Sequence, residues 1–217
     1  MSSFCSWSGG KDSALAVWRF IQENEKPEFA LTMFNPEGGF SKSHHIPETV
    51  IEAQSAGMGM LPVWGYAGWG DYEEEFRKCL RLMRDRGVTD GVFGDIDIEE
   101  HRQWVEKVCR AEGMTAHLPL WKVPRMELVK EFLASGFEAL VIAVKDGVLG
   151  PEYLGRQFSD RLVDEFTRMG VDACGEKGEF HTIVTNCPIF DTALKLDPGR
   201  PELHDGYWFL AVNNGGI

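Results

Sequence analysis

Apolar residues in the first 119 positions form short runs that alternate with stretches of helical spacing. The runs predict five strands, at 3–7, 28–34, 61–66, 88–93 and 114–118. Between the runs, apolar side chains recur three and four positions apart, which predicts four helices joined by short loops rich in Gly and Pro. Strands that alternate with helices favour a doubly wound, five-stranded parallel sheet of the α/β class.

The rest of the chain is less regular. Helical spacing predicts helices at 125–133 and 158–169, and apolar runs predict strands at 139–144, 181–185, 188–190 and 207–212. Pro119 ends the fifth strand, so a domain boundary is expected at 119–121. We therefore predict a first domain at 1–119, and a smaller C-terminal α/β domain at 120–217 that binds the acceptor substrate.

The six residues between the first strand and the first helix carry the densest candidate chemistry. They are Ser8, Gly9, Gly10, Lys11, Asp12 and Ser13, called loop 8–13 below. A Gly-rich turn before a helix forms an anion site, because the first amides of the helix lack partners and its dipole adds partial positive charge. The glycines let the backbone approach a phosphate, and the hydroxyls and the lysine add donors. The aspartate would repel a bare phosphate, which indicates a bridging Mg²⁺ or a helix N-cap.

Two motifs known from other nucleotide-binding loops are absent from this turn. Its spacing matches neither the Walker A loop nor GxGxxG. A small-residue turn without a ligand is the alternative interpretation, which the match of six residues at a strand–helix junction disfavours.

Other segments are expected to reach the same edge of the sheet, because ligands of such sheets bind at the carboxyl ends of the strands. Gly94 and Asp95 follow the fourth strand, and segment 35–47 follows the second. His44 and His45 in that segment are candidates for lining a nucleotide pocket, and a polar loop is an equally good interpretation. The predicted nucleotide contacts are Gly94, Asp95 and His45, together with loop 8–13.

A second dense segment, GEKGE, lies at 175–179 before a predicted strand. Glu176 and Glu179 stand three apart, next to Gly175 and Gly178. Such carboxylates can hold a cation, coordinate Mg²⁺ or accept a proton. A solvated acidic turn is the alternative that composition alone favours.

Composition narrows the possible partners and locations. The net charge of −12 disfavours tRNA or another nucleic acid, because neutralising phosphates requires clustered Lys and Arg. Five cysteines without a CxxC pair indicate small buried hydrophobes rather than disulfides or a zinc site. No apolar run of about 18 residues and no basic-then-apolar start occur, so we expect no membrane partner and a cytoplasmic location.

Loop 8–13 resembles the PP-loop (SGGxDS) of the N-type ATP pyrophosphatases. Residues 174–180, CGEKGEF, followed by Pro-Ile-Phe at 188–190, resemble the C-terminal signature of the diphthine–ammonia ligase family. Segments 94–96 and 119–121 agree with this resemblance, which covers residues 4 to 190. It implies a HUP-like fold for the first domain.

The resemblance implies ATP-dependent amidation with Mg²⁺. A carboxylate attacks the α-phosphorus of ATP to give an acyl-adenylate and pyrophosphate, and ammonia then displaces AMP. In the family the carboxylate belongs to diphthine, a modified histidine of elongation factor 2. The expected partners are therefore elongation factor 2 and ammonium, and self-association into a homo-oligomer is left open.

The same resemblance implies roles for particular residues. Lys11, Asp12, Glu176 and Glu179 would be catalytic, with Mg²⁺ near Asp12 and ammonium held or deprotonated by the glutamates. Gly175 and Gly178 would join the glutamates in substrate binding. The quaternary ammonium of diphthine requires an aromatic ring, for which Trp121 is the candidate. A packed aromatic residue is the alternative interpretation of Trp121.

Two further functions stay open from the sequence. The chain is alternatively a PP-loop ATP pyrophosphatase for another carboxylate or carbonyl, in a small molecule or tRNA, or a non-catalytic ATP-binding module. The net charge and the absence of CxxC weaken the tRNA version. A binding module needs only the glycines and the helix N-terminus, so the presence of Lys11, Asp12 and the two glutamates favours catalysis.

Overall fold

The first sheet of the protein is parallel throughout in the computed structural model, which describes residues 2–215. Its strands are β1 (Ser3–Ser6), β2 (Phe29–Phe34), β3 (Leu61–Tyr66), β4 (Asp90–Val92) and β5 (Thr115–His117). The helices between them are α1 (Lys11–Phe20), α2 (Glu48–Gly57), α3 (Tyr72–Arg84) and α4 (Glu99–Ala111). The strand order β3-β2-β1-β4-β5 confirms the predicted doubly wound sheet and places its switch point between β1 and β4.

The second part of the chain builds a smaller antiparallel sheet flanked by helices. Its elements are α5 (Arg125–Ala134), β6 (Glu138–Lys145), a 3₁₀ turn (Pro151–Tyr153), α6 (Asp160–Arg168), β7 (Phe180–Asn186), β8 (Leu196–His204) and β9 (Tyr207–Asn214). The strand order is β7-β6-β9-β8. β7 is thus an edge strand of its own sheet, and its amides and carbonyls are available to the first half of the molecule.

The spacing of apolar residues explains why the helices lie where they do. In α3, the side chains of Phe76, Cys79, Leu80 and Met83 recur three and four positions apart and are all buried. Asp71 occupies the N-cap position of α3, but its side chain makes no capping hydrogen bond. No helix within residues 2–215 has the length and apolar content needed to span a bilayer.

In the second half, one predicted strand is wrong and one strand was not predicted. Residues 188–190 form a turn instead of a strand, and the amide of Phe190 donates to the Cys187 carbonyl at 3.0 Å. β8 was not predicted, because it lies at the sheet edge, is largely exposed and contains Pro198 and Pro201. Proline is tolerated in edge strands, yet it removes the alternating apolar pattern by which strands are recognised.

Two hydrophobic clusters lie on opposite faces of the parallel sheet. Phe4 of β1 packs with α3 and α4, whereas Cys5 packs on the other face with α1 and α2. The cluster that contains Cys5 continues into the second sheet, through Phe158 and Phe180 among others. All five cysteines are buried and unpaired, as expected. The predicted division at 119/120 falls between the two sheets, but one core crosses it.

Candidate active site

Loop 8–13 connects β1 to α1 and has a conformation that its sequence dictates. Gly9 has φ +80°, and a Cβ atom there would lie 2.8 Å from both Gln54 Oε1 and Ile46 Cδ1. Only glycine satisfies the dihedral angle and the space together. The hydroxyls of Ser8 and Ser13 lie 3.0 Å apart, and they brace the loop from inside.

The second sheet holds this loop in place. The amide of Val184 on β7 donates to the Gly9 carbonyl at 2.9 Å, and the amide of Lys11 donates to Thr182 Oγ1 at 3.2 Å. The buried Gln54 donates to the carbonyls of Gly9 and Val184 at 3.2 and 2.8 Å. The loop therefore depends on residues from both halves of the chain for its position.

Lys11 links the loop to the second dense segment of the sequence. Its side chain is buried, and Nζ contacts Asp12 Oδ2 at 2.8 Å and also donates to the Cys174 carbonyl. Burial alone would lower the pKa of Lys11, but the carboxylates of Asp12 and Glu176 outweigh burial and raise it. Lys11 is therefore a permanent cation between the two segments.

The two glutamates of segment 175–179 have different environments. Glu179 is buried, and its carboxylate accepts the amides of Lys177 at 3.0 Å and Asp172 at 3.3 Å, so it braces the segment. Glu176 lines a cleft of about 220 Å³ that faces loop 8–13. The pKa of Glu176 is raised to about 7, mainly by burial and to a smaller extent by the negative charge of Asp12. The positive charge of Lys11 opposes this rise.

The cleft collects most of the residues that the sequence singled out. It is lined by Lys11, Asp12, Gly94 and Asp95 from the first half and by Gly175, Glu176 and Gly178 from the second. Gly94 packs directly on the first turn of α1, where a Cβ atom would lie 2.9 Å from the backbone of Asp12 and Ser13. This contact brings the loop after β4 to the mouth of the nucleotide loop.

Three histidines, His44, His101 and His181, line the cleft as well. His44 was a candidate for lining a nucleotide pocket, whereas His101 and His181 were not among the predicted site residues. His101 Nδ1 lies 3.4 Å from Asp95 Oδ1, and the hydrogen bond to Asp95 raises the pKa of His101 despite partial burial. The ring centroids of His44 and His181 lie 4.6 Å apart. Burial lowers the pKa of His181 to about 4 and that of His44 well below its ordinary value, so both are neutral near pH 7.

His45 and Trp121 are not among the residues that line the cleft. His45 stacks on Phe40 with 4.1 Å between ring centroids and lines a neighbouring groove. Two cations, Arg102 at 5.2 Å and Lys122 at 5.0 Å, already lie over the Trp121 ring. A third cation at that ring would meet their repulsion, which disfavours Trp121 as the quaternary ammonium site.

The fold and the loop together define an α/β nucleotide-binding protein of the PP-loop class, with its cleft closed by a second sheet. Two family models match the chain: the diphthamide synthase N-terminal domain over residues 1–116 and the diphthamide synthase C-terminal domain over residues 125–215. The chain belongs to the diphthamide synthase family.

Curated relatives carry the name diphthine–ammonia ligase. The protein of Rattus norvegicus is 27% identical over 94% of this chain and 86% of its own length. The protein of Schizosaccharomyces pombe is 31% identical over 87% of this chain, which corresponds to 35% of its own length. A solved structure of a predicted tRNA methyltransferase subunit from Methanocaldococcus jannaschii has a TM-score of 0.48 and 13% identity, over 87% of this chain and 98% of that one.

Proposed function

We propose that this chain is an AMP-forming ligase that uses ATP and ammonium to amidate diphthine on elongation factor 2. The observation that carries the proposal is the cleft itself, where the nucleotide loop faces Glu176, a carboxylate with a pKa of about 7. The name of the relatives, diphthine–ammonia ligase, supports diphthine and ammonia as the reactants. A cytoplasmic location is part of the same proposal.

The nucleotide half of the reaction rests on loop 8–13 and the first turn of α1. When carboxylate displaces pyrophosphate from ATP, negative charge accumulates on the leaving group. A helix N-terminus and the buried cation of Lys11 stabilise such charge without reorganising. Ser8 and Ser13 fix the shape of the loop, so the donors are oriented before the nucleotide arrives.

The carboxylates of the cleft fit the Mg²⁺ that accompanies ATP in this chemistry. Mg²⁺ prefers oxygen ligands and is held by one or two carboxylates together with the phosphates of the substrate. Asp12 and Asp95 both line the cleft, and the repulsion between Asp12 and Glu176 would be relieved by a divalent cation. Bound Mg²⁺ would neutralise charge on the phosphates.

Glu176 suits the acceptor half of the reaction. Attack of ammonia on the acyl-adenylate forms the amide C–N bond, breaks the C–O bond to AMP and releases one proton. A base with a pKa near the working pH is the most effective acceptor of that proton. Glu176 has such a pKa, whereas Glu179 already accepts two backbone amides and lies outside the cleft lining.

The direct test supplies the purified protein with ATP, Mg²⁺, ammonium and elongation factor 2 in the diphthine form. We expect AMP, together with the mass change that converts one carboxylic acid of the factor into an amide. AMP without that mass change would assign the chemistry to another carboxylate. ADP instead of AMP, or no turnover, would contradict the proposal.

A further inference from the structure

An open groove of about 540 Å³ adjoins the cleft and has no role in the reaction described so far. Gly178 and His181 line both spaces, so the groove and the cleft share a wall. The groove is walled by segment 42–45, by Trp69 and by the hairpin between β8 and β9. It is the side from which a macromolecular acceptor can approach.

One wall of this groove is aromatic. Tyr207 and Phe209, alternate residues of β9, have ring centroids 6.0 Å apart. The Tyr207 hydroxyl donates to the Gly178 carbonyl at 2.8 Å, which fixes this ring at the border of the cleft. The ring centroid of His181 lies 6.0 Å from that of Tyr207, and the ring centroid of His45 lies 4.7 Å from that of Phe209.

The charges around these rings favour a cationic ligand. Asp205 lines the groove, and Glu176 lines the adjoining cleft. His45 is neutral near pH 7, because burial and next the neighbouring His204 lower its pKa. Among the described lining residues the one lysine is Lys42. Its Nζ already donates to the Ala67 carbonyl at 2.9 Å and lies 4.6 Å from the centroid of the Trp69 ring.

We propose, building on the function proposed above, that this groove binds the modified histidine side chain of the acceptor, with its quaternary ammonium against the rings of Tyr207 and Phe209. In diphthine the trimethylammonium group sits on the carbon that bears the reacting carboxylate. Its site must therefore adjoin the place where that carboxylate meets the α-phosphorus. Tyr207 meets this requirement, because its hydroxyl donates to Gly178, which lines the cleft. Trp121 already carries two cations.

Steady-state kinetics of single variants test the role of the aromatic wall. Tyr207→Leu and Phe209→Leu should each raise KM for the diphthine-bearing factor by about 3- to 30-fold, the range expected for a lost cation–π contact. KM for ATP should not change. Tyr207→Phe keeps the ring and loses only the hydrogen bond to Gly178, so its KM for the factor should stay near the wild-type value.

Trp208→Leu is the matched control. Trp208 lies between the two residues on the same strand but points to the opposite face, where it packs beside the core and donates to Asp146 at 2.9 Å. Its substitution removes an aromatic side chain of β9 without touching the groove. An equal rise in KM for the factor in Trp208→Leu would overturn the proposal, as would unchanged values in both groove variants.

A binding measurement separates this inference from the proposed reaction. Choline and its uncharged isostere 3,3-dimethylbutan-1-ol are titrated into the protein and followed by NMR. The inference predicts that wild type and Trp208→Leu prefer choline, and that Tyr207→Leu and Phe209→Leu lose the preference. Absence of the preference in wild type would overturn the inference even if diphthine is amidated. Its presence would uphold the cation site even if the factor proves not to be the acceptor.

Discussion

Glu176 and Glu179 show how the surroundings of two identical side chains determine what each can do. Both belong to one short segment between the same glycines, and the sequence assigned both to catalysis and substrate binding. The structure turns the carboxylate of Glu179 back onto the backbone amides of its own segment. It turns Glu176 into the cleft, where burial and Asp12 raise the pKa to about 7.

Glu176→Gln should separate the chemistry from binding. As a proton acceptor Glu176 must be ionised, so kcat/KM in the wild type, calculated on the concentration of unprotonated ammonia at each pH, should rise with pH and level off above about 7. The variant should lose on the order of 10²–10⁴ in rate and lack this inflection, while KM for ATP changes little. A variant that retains both the rate and the inflection would remove Glu176 from the mechanism.

The same substitution should stabilise the protein at higher pH. The pKa of Glu176 is raised from 4.5 to about 7 on folding, so between these values the folded protein keeps a proton that the unfolded chain releases. Ionisation of Glu176 thus opposes folding increasingly as the pH rises across this window. The gain in Tm from Glu176→Gln should be larger at about pH 8 than at about pH 5. Equal gains at both pH values would contradict the raised pKa.

Glu179→Gln should mainly lower the stability of the protein. The amide retains one acceptor oxygen and places an NH₂ group where the carboxylate accepted a second backbone amide. A cost of about 1–3 kcal/mol in the free energy of unfolding is expected, measured by chemical denaturation. If the variant loses activity but keeps wild-type stability, Glu179 has a chemical role that its hydrogen bonds do not show.

At the scale of elements, the active site is a junction between the turn after β1 and the edge strand β7. The turn alone is a general phosphate-binding device. Hydrogen bonds from Val184 and to Thr182 fix its position, and both residues belong to the second sheet. The position of the PP-loop therefore depends on this edge strand as well as on its own sequence.

Gly9→Ala tests this junction. The side chain would meet Gln54 and Ile46 at 2.8 Å and force an L residue into positive φ, so the loop must shift and ATP binding should be lost. Gly113→Ala is the matched control, because Gly113 has φ +73° and no atom within 4 Å of the added Cβ. Both variants should lose about 1–3 kcal/mol from backbone strain, and only Gly9→Ala should lose ATP affinity measured by calorimetry. Equal ATP affinity in the two variants would contradict the account.

Elements with strong apolar periodicity were predictable, and irregular ones were not. α4 (Glu99–Ala111) is one of the four helices predicted between the strands, because its apolar residues recur at helical spacing and Gly113 follows it. β8 escaped prediction, since an exposed edge strand with two prolines has no alternating pattern. Loop 8–13 was recognisable because its function requires consecutive residues. The histidines of the cleft come from three distant segments, and only tertiary structure brings them together.

At the scale of the whole molecule, the two halves form one catalytic unit. One hydrophobic cluster runs from α1 and α2 into the second sheet. Arg125, at the start of α5, pairs with Asp97 at 2.7 Å and with Asp172 of the loop that leads into the second dense segment. Arg125 thereby ties the loop after β4, which lines the cleft through Gly94 and Asp95, to the segment that carries Glu176.

The central claim is that a carboxylate of the acceptor attacks the α-phosphorus of ATP in this cleft. The most direct measurement supplies diphthine-bearing elongation factor 2 whose reacting carboxylate carries isotopically labelled oxygen, and then determines the label in the nucleotide product by mass spectrometry. An acyl-adenylate leaves one of the two carboxylate oxygens on AMP, so the account predicts singly labelled AMP and an amide that keeps the other label. Unlabelled AMP, or label in inorganic phosphate together with ADP, would contradict it.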